Sequence, residues 1–494
     1  MTRYLEDTAI QTRDPECVPG PAEAAALAVD YPVIPLHREF LADTVTPVTL
    51  FAQLCGSDEP GFLLEGVPTS GESGRYSYIG YRPKLLEIDS EDPLTTVWEL
   101  IDRSIAPVPG LPPFHGGVVG YLGYETARHF ENLPVAEEPA PNLPESAFLL
   151  TDDLVVVDHA TRKLLLVTLH RPNQESYTEA VRRIDLMQSG LRTTVLPGPE
   201  DGPVPTTDPD SDPADLDEWR SNFSREEYER RVRRAREYIA AGDAFQIVLS
   251  QRFSKPLRAD PIDVYRQLRA TNPSPYLYHV SLGNGRHIIG ASPELLVKNE
   301  GGRVQTRPLA GTRRRDPDAK DDLVLENELL DDEKEKAEHV MLVDLGRNDL
   351  GRVSQTGSVR VDRLMEVERF SHVMHLSSTV SGRLTSDADA LDALRATFPA
   401  GTLSGAPKIR AMEIISELER QRRGVYGGAI GCFSHGGNAD LAIALRTLVV
   451  ADGMVHVQAG AGVVVDSDPT AEYQETLHKA RALFAAVRRA EAMS

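Results

Sequence analysis

Two pairs of glutamates carry the first chemical signal in this sequence. Glu335 and Glu338 stand at i and i+3 in DDEKEKAEH (331–339), and Glu472 and Glu475 repeat the spacing in AEYQETLHKA (471–480), with Lys479 one turn beyond Glu475. Residues three apart on a helix share a face, so each pair sets two carboxylates side by side. Two such faces can clamp one hard cation, and Mg²⁺, which takes oxygen ligands and keeps water or substrate oxygens in its shell, suits them; calcium and manganese fit the same logic. Either pair alone reads as a solvated, Lys-rich helix face. Their company points further: Leu345-Gly346-Arg347-Asn348-Asp349 follows the first pair and Gln458-Ala459-Gly460-Ala461-Gly462 precedes the second. Glycines there let a backbone approach a ligand and offer N–H groups to a carboxylate.

Periodicity and turn chemistry give the strands and helices around these residues. Strand-like runs at 61–65, 76–80, 154–157 and 164–169 lie between Pro/Gly turns, and further runs at 245–253, 276–280, 287–290, 295–298, 428–433, 440–450 and 455–460 predict more strands. Helical patterns cover 225–241, 322–344, 388–396, 408–419 and 470–490. The mixture predicts an α+β fold: large antiparallel sheets in a layered sandwich, helices outside, and a smaller N-terminal regulatory layer woven in. Residues 1–30 read as a mobile tail, 31–196 as an N-terminal region, the Pro- and Asp-rich 197–218 as a solvated linker, and 219–490 as the catalytic domain.

Composition narrows the class. The 494 residues are 41% hydrophobic and 26% charged, enough to bury a large core without staples. Cys17, Cys55 and Cys432 fall in no paired spacing, so neither a disulfide framework nor a thiolate metal site is expected. No signal-like or membrane-spanning run is visible, and the expected compartment is the cytoplasm. A net charge of −22 argues against nucleic acid as a partner, since that affinity comes from Lys and Arg neutralising phosphates.

Longer blocks then carry a resemblance. NPSPYLYHV (272–280), GASPELLVK (290–298), RPLAGTRRR (307–315), DEKEKAEHVMLVDLGRNDLGRV (332–353), FSHVMHLSSTVSGRL (370–384), PAGTLSGAPKIRAMEII (399–415), YGGAIGC (426–432), ALRTLVV (444–450) and QAGAGVVVDSDPTAEYQETLHKA (458–480) run in one order. In that order they resemble the chorismate-utilising enzymes and, within them, the large subunits (component I) of anthranilate synthases. The resemblance implies that Glu338 and Glu475 bind Mg²⁺ with the ring carboxylate of chorismate, supported by Glu335 and Glu472. It gives Tyr426 and Arg446 the enolpyruvyl carboxylate, and makes Thr402, Gly460, Gly462 and Lys479 further substrate contacts. Glu294 matches the acid that protonates the departing C4 hydroxyl, and His375 the histidine tied to pyruvate loss.

Two positions separate related chemistries within the resemblance. Water-adding members carry a lysine base where this chain has Gln246, and an amide cannot act as a base near neutral pH. C4-aminating members carry a nucleophilic lysine at the position of Ala310, whose methyl group cannot attack. Amination at C2 remains, with loss of the C4 hydroxyl and elimination of pyruvate to give anthranilate. No cysteine sits in a nucleophile elbow, so ammonia is expected from a separate glutamine amidotransferase subunit (component II) in a hetero-oligomer. One alternative stops at 2-amino-2-deoxyisochorismate; another, of a different class, is a non-catalytic subunit that kept the fold. Tryptophan-inhibited relatives carry Leu-Leu-Glu-Ser opposite NPSPY, whereas this chain reads Leu63-Leu64-Glu65-Gly66. Glu65, Gly66, Pro275, Tyr276 and Leu277 therefore form the expected regulatory set, with tryptophan a weakened inhibitor.

Overall fold

The computed structural model describes residues 16–56, 58–66, 74–88, 90, 92–193, 218–370 and 373–493. Its strands form two antiparallel sheets. Along the larger run Ile34–Leu41, Lys163–His170, Asp153–Asp158, Tyr76–Gly80, Pro60–Glu65, Tyr276–Gly283, Arg286–Ser292, Thr447–Ala451, Met454–Val463, Gln246–Pro256 and Gly405–Ala406. Along the smaller run Leu309–Arg314, Val373–Arg383, Arg303–Thr306, Leu295–Glu300, Ala439–Ile443, Ala429–Ser434, Gly117–Leu122, Ser146–Thr151 and Lys84–Ile88. Each sheet mixes strands from both sides of residues 197–218, so the N-terminal layer is woven into the larger body.

Alternation along the strands decides the layering. Leu154 and Val156 face one way, packing with Leu149, Ile430 and Tyr278 between the sheets, while Val155 and Val157 face the other, packing with Ile184, Tyr265 and Phe484 of the covering helices. Phe148, Phe433, Leu394 and Phe398 fill the outer face of the smaller sheet. The result is a sandwich of helix, sheet, sheet and helix, with the apolar core in three slabs. Among the described residues no helix is long and apolar enough to cross a membrane.

Three expectations are corrected. The run 440–450 is two strands, because Ala439–Ile443 belongs to the smaller sheet and Thr447–Ala451 to the larger; Arg446 between them takes φ +48°, a left-handed conformation that ends strand geometry. The helix over 322–344 is likewise two, Ala319–Asp331 and Glu333–Gly351. Asp332 interrupts them with an extended backbone, and its side chain accepts hydrogen bonds from the Lys334 and Glu335 amides to start the second helix. The described part of the expected tail, 16–30, is folded: Val18 bridges His37, and the alanine run forms the helix Pro21–Leu27, started by its proline and anchored by buried Ala24. Seven residues are too few to show a helical period. The expected linker 197–218 lies outside the described residues apart from Glu218.

Candidate active site

Two chain crossovers between the sheets meet at the centre of a cleft. One runs from Arg286–Ser292 into Leu295–Glu300 and carries Glu294; the other runs from Ala439–Ile443 into Thr447–Ala451 and carries Arg446. They are stitched together: the Ile443 amide donates to the Glu294 carbonyl (3.1 Å), the Ala291 amide to the Arg446 carbonyl (3.2 Å), and the Ser292 hydroxyl to the Ile443 carbonyl (2.7 Å). Glu294 is buried, and desolvation raises its carboxyl to about 7 even though the Thr402 hydroxyl donates to it at 3.1 Å and Arg307 and Lys479 pull the other way. Burial pulls the Arg446 guanidinium below its usual value, offset by the charges of Glu294 and Glu475.

Two helix starts close the cleft. Glu335 and Glu338 occupy the first turns of Glu333–Gly351, and Glu472 and Glu475 those of Pro469–Glu491, which Asp468 caps through the Ala471 amide. Helix N-termini favour such carboxylates. Burial raises the carboxyls of Glu335 and Glu472, helped by the like charges of Glu338 and Glu475 respectively. Carboxylates crowded this way are eased by a cation. Among the described residues no three His, Cys, Asp or Glu side chains form a metal cage.

The glycine strand forms the floor. Gln246, Gly460 and Gly462 lie on one face of the paired strands Gln246–Pro256 and Met454–Val463. A Cβ on Gly462 would sit 2.9 Å from the Gln246 amide nitrogen, and one on Gly460 would sit 2.8 Å from the Tyr426 hydroxyl. Both glycines are needed for these approaches. The Gln246 amide donates to Glu338 at 2.5 Å, and the Lys479 ammonium donates to the Gly460 carbonyl at 3.0 Å while lying 3.3 Å from Glu475. Opposite, His375 on Val373–Arg383 is buried. Its Nδ1 donates to the Gly311 carbonyl at 3.0 Å, since a carbonyl can only accept, and Nε2 is left without a partner. Burial, then the charges of Arg446 and Lys479, lowers this imidazole to about 4, so it is neutral with an open lone pair.

Glu294, His375, Thr402, Tyr426, Arg446, Gly460, Gly462, Lys479, the four glutamates and Gln246 thus converge on one cleft. The regulatory set lies elsewhere on the larger sheet. Glu65 pairs in register with Leu277, which brings it beside Pro275 and Tyr276. Four strand spacings separate the Glu65 strand from the glycine strand, roughly 20 Å. Glu65 is buried and already bonded to the Tyr265 hydroxyl (2.5 Å) and to Arg269 (3.0 and 3.2 Å). At Gly66 a Cβ would stand 2.6 Å from the Pro275 carbonyl oxygen and 2.9 Å from the Gly74 Cα, so a serine does not fit this turn as it stands.

The sequence profile of the family described as chorismate binding enzyme matches residues 62–485. The chain belongs to that family. Among its relatives, anthranilate synthase component 1 of Streptomyces coelicolor is 67% identical over 478 residues, covering 96% of this chain and 93% of the relative. The component 1 of Pseudomonas putida is 46% identical over 497 residues, covering 94% and 98%. The crystal structure of anthranilate synthase component I from Streptococcus pneumoniae superposes with a TM-score of 0.75 at 39% identity, over 90% of this chain and 99% of that one. This chorismate-binding chain therefore shares fold and sequence with that group of enzymes.

Sequence reasoning missed the residues that brace the site. Arg423, 2% exposed, donates to Glu419 through two nitrogens (2.6 and 2.9 Å), to the Leu403 carbonyl (2.6 Å) and to the Val248 carbonyl (2.7 Å), and its guanidinium lies 5.6 Å from the Tyr426 ring centroid. Within QRRGVYGG nothing distinguishes it from its neighbour Arg422, because burial is set by the tertiary fold. Lys408 and Asp349, 3.1 Å apart, join two of the sequence blocks and pin the segment that carries Thr402. Their opposite charges were visible, but not their meeting.

Proposed function

We propose that this chain is the chorismate-aminating component of an anthranilate synthase, converting chorismate and ammonia to anthranilate, water and pyruvate. The observation that carries the reading is a buried Glu294, its carboxyl raised to about 7, beside the Arg446 charge that also acts on His375, whose Nε2 is open. Glu338 and Glu475 would hold Mg²⁺, with Glu335 and Glu472 behind them. When bound, the ion neutralises the ring carboxylate of chorismate and fixes the ring's orientation.

The residues divide the work. Arg446, with a planar fork of donors, and Tyr426 orient the enolpyruvyl carboxylate. Ammonia adds at C2 beside Gln246 as Glu294 gives its proton to the hydroxyl leaving C4, and the ring double bonds shift. The C2 proton is then lost to His375 Nε2 while the C3–O bond breaks; pyruvate departs and the ring becomes aromatic. Burial is the main reason the free imidazole is so low, and the negative charge of bound substrate offsets the added effect of Arg446 and Lys479, which makes it a better base in the complex.

Ammonia comes from a separate glutaminase component, with which the chain forms a hetero-oligomer. Support lies in the thiols: Cys17, Cys55 and Cys432 are all buried, and burial pushes Cys55 up to about 12, whereas glutamine hydrolysis requires an exposed, activated nucleophile. Tryptophan is a weak inhibitor in this reading, bound near Glu65 and Pro275–Leu277. The deciding experiment supplies the purified chain with chorismate, Mg²⁺ and ammonium at alkaline pH, then with glutamine. Anthranilate fluorescence and mass are expected with ammonium and nothing with glutamine. Accumulation of 2-amino-2-deoxyisochorismate as end product, or turnover of glutamine, would overturn the reading.

A further inference from the structure

A second cavity, of about 200 Å³, continues the same strand face beyond the catalytic cleft. Arg252 pairs with Gln458, and Ser254 with His456, just as Ser250 pairs with Gly460 in the cleft. Gln458 and Gly460 are two residues apart on one face, about 7 Å. Between the two chambers stands the buried partition of Ser250, Glu419, Arg423 and Tyr426. The far wall is the segment 139–145, clasped to the turn after Thr447–Ala451 by the Asn142 amide donating to Asp452 at 3.3 Å.

Two arginines facing this cavity have no carboxylate partner among the described residues. The Arg252 guanidinium makes one long contact, to the Arg422 carbonyl at 3.5 Å, and the Arg422 Nε is buried with no hydrogen-bond partner. Glu138 supplies the largest opposing charge near Arg252 without forming an ion pair with it among the described residues, and the other nearby acids are committed elsewhere. Both Glu125 oxygens accept backbone amides, from Arg423 (2.7 Å) and Gly424 (3.0 Å); Glu145 is held by Arg128 (2.8 Å) and His129 (2.7 Å); and Glu419 is taken by Ser250 and Arg423. Desolvation pulls Arg252 below its ordinary value, as expected of a guanidinium short of counter-charge. Pro139, Pro141, Leu143, Val425 and Val449 give the cavity an apolar side. Guanidinium groups facing an apolar wall suit a small organic carboxylate, whose charged end and short carbon body match the two sides.

We propose that this cavity is a second binding site, for a small organic carboxylate held by Arg252 and Arg422 and separated from the catalytic cleft by the Tyr426–Arg423 partition. Isothermal titration of the full chain with pyruvate, a three-carbon probe of this class, tests it in separate backgrounds. Binding persists in Arg446→Ala, which removes an anion contact from the catalytic cleft only. In Arg252→Gln/Arg422→Gln, affinity for this site falls at least tenfold while chorismate turnover with ammonium stays within twofold. Should the double variant lose its fold by circular dichroism, Arg252→Gln alone decides, with a loss of at least threefold. Absence of pyruvate binding in Arg446→Ala, or unchanged affinity in the Arg252 and Arg422 variants, overturns the proposal.

Discussion

The catalytic cleft and the Glu65 cluster are both buried and polar, yet they spend their hydrogen bonds in opposite ways. In the cleft, burial holds the Glu294 carboxyl up near 7, His375 Nε2 has no partner, and burial followed by neighbouring glutamates raises Glu335 and Glu472. Around Glu65 the carboxylate is saturated by Tyr265 and Arg269 of its own chain. Unmet electrostatics in the first region are what a substrate and a cation satisfy on binding. In the second, an incoming ammonium group has to displace Arg269, so its net gain is small. If tryptophan inhibits this chain weakly, as proposed, Arg269 gives that weakness a better physical basis than the absent serine hydroxyl of the Leu-Leu-Glu-Gly turn.

Substitutions can break this contrast. The largest effect is expected from Glu475→Gln, which removes one of two facing carboxylates: steady-state chorismate turnover should fall by about a hundredfold or more, with the circular dichroism spectrum unchanged. Near-normal turnover at saturating Mg²⁺ would remove Glu475 from the cation site. His375→Asn keeps a polar group but loses the ring Nε2. Anthranilate formation should drop by about a hundredfold while the aminated, non-aromatic intermediate builds up by mass spectrometry; an equal loss of both products would assign His375 to an earlier step.

Glu294 permits a stability measurement. Its carboxyl rises from 4.5 unfolded to about 7 folded, so the stability it contributes is fully present below 4.5 and is lost as pH climbs through 7. Glutamine does not ionise. In substrate-free urea melts Glu294→Gln should therefore gain up to about 3 kcal/mol over the wild type at pH 8, with the gain vanishing near pH 4.5. Turnover with ammonium, expressed per free ammonia, should decline above pH 7 as the acid deprotonates, although the rising ammonia fraction keeps alkaline assays productive. A pH-independent stability difference would contradict a neutral buried Glu294.

Smaller effects test the Glu65 side. Gly66→Ser forces a Cβ against the Pro275 carbonyl and Gly74, and should cost about 1–3 kcal/mol in thermal or urea melts without restoring strong inhibition. A stable, tryptophan-sensitive Gly66→Ser protein would return the serine hydroxyl to the centre of the explanation. Arg269→Gln should tighten tryptophan inhibition severalfold at fixed chorismate by freeing Glu65; unchanged inhibition would show that this ion pair does not compete with the ligand.

Residue chemistry and block order, both local properties, were legible in the sequence. The i and i+3 glutamates, the glycines of 458–462, the missing lysines at Gln246 and Ala310, and about half of the strands and helices could be read from spacing, periodicity and resemblance, whereas Gly117–Leu122, the His375 strand Val373–Arg383 and the helices Tyr177–Thr193 and Pro261–Thr271 could not. Only the tertiary structure decided that 440–450 leaves one sheet for the other at Arg446, that Asp332 starts a new helix just ahead of Glu335, and that Arg423 is buried while Arg422 faces a cavity. Periodicity reports which face of a strand is apolar, not which sheet the strand joins. The pKa of Glu294, the open Nε2 of His375 and the closed space around Gly66 arise from desolvation and contact between segments far apart in the chain. No single segment encodes them.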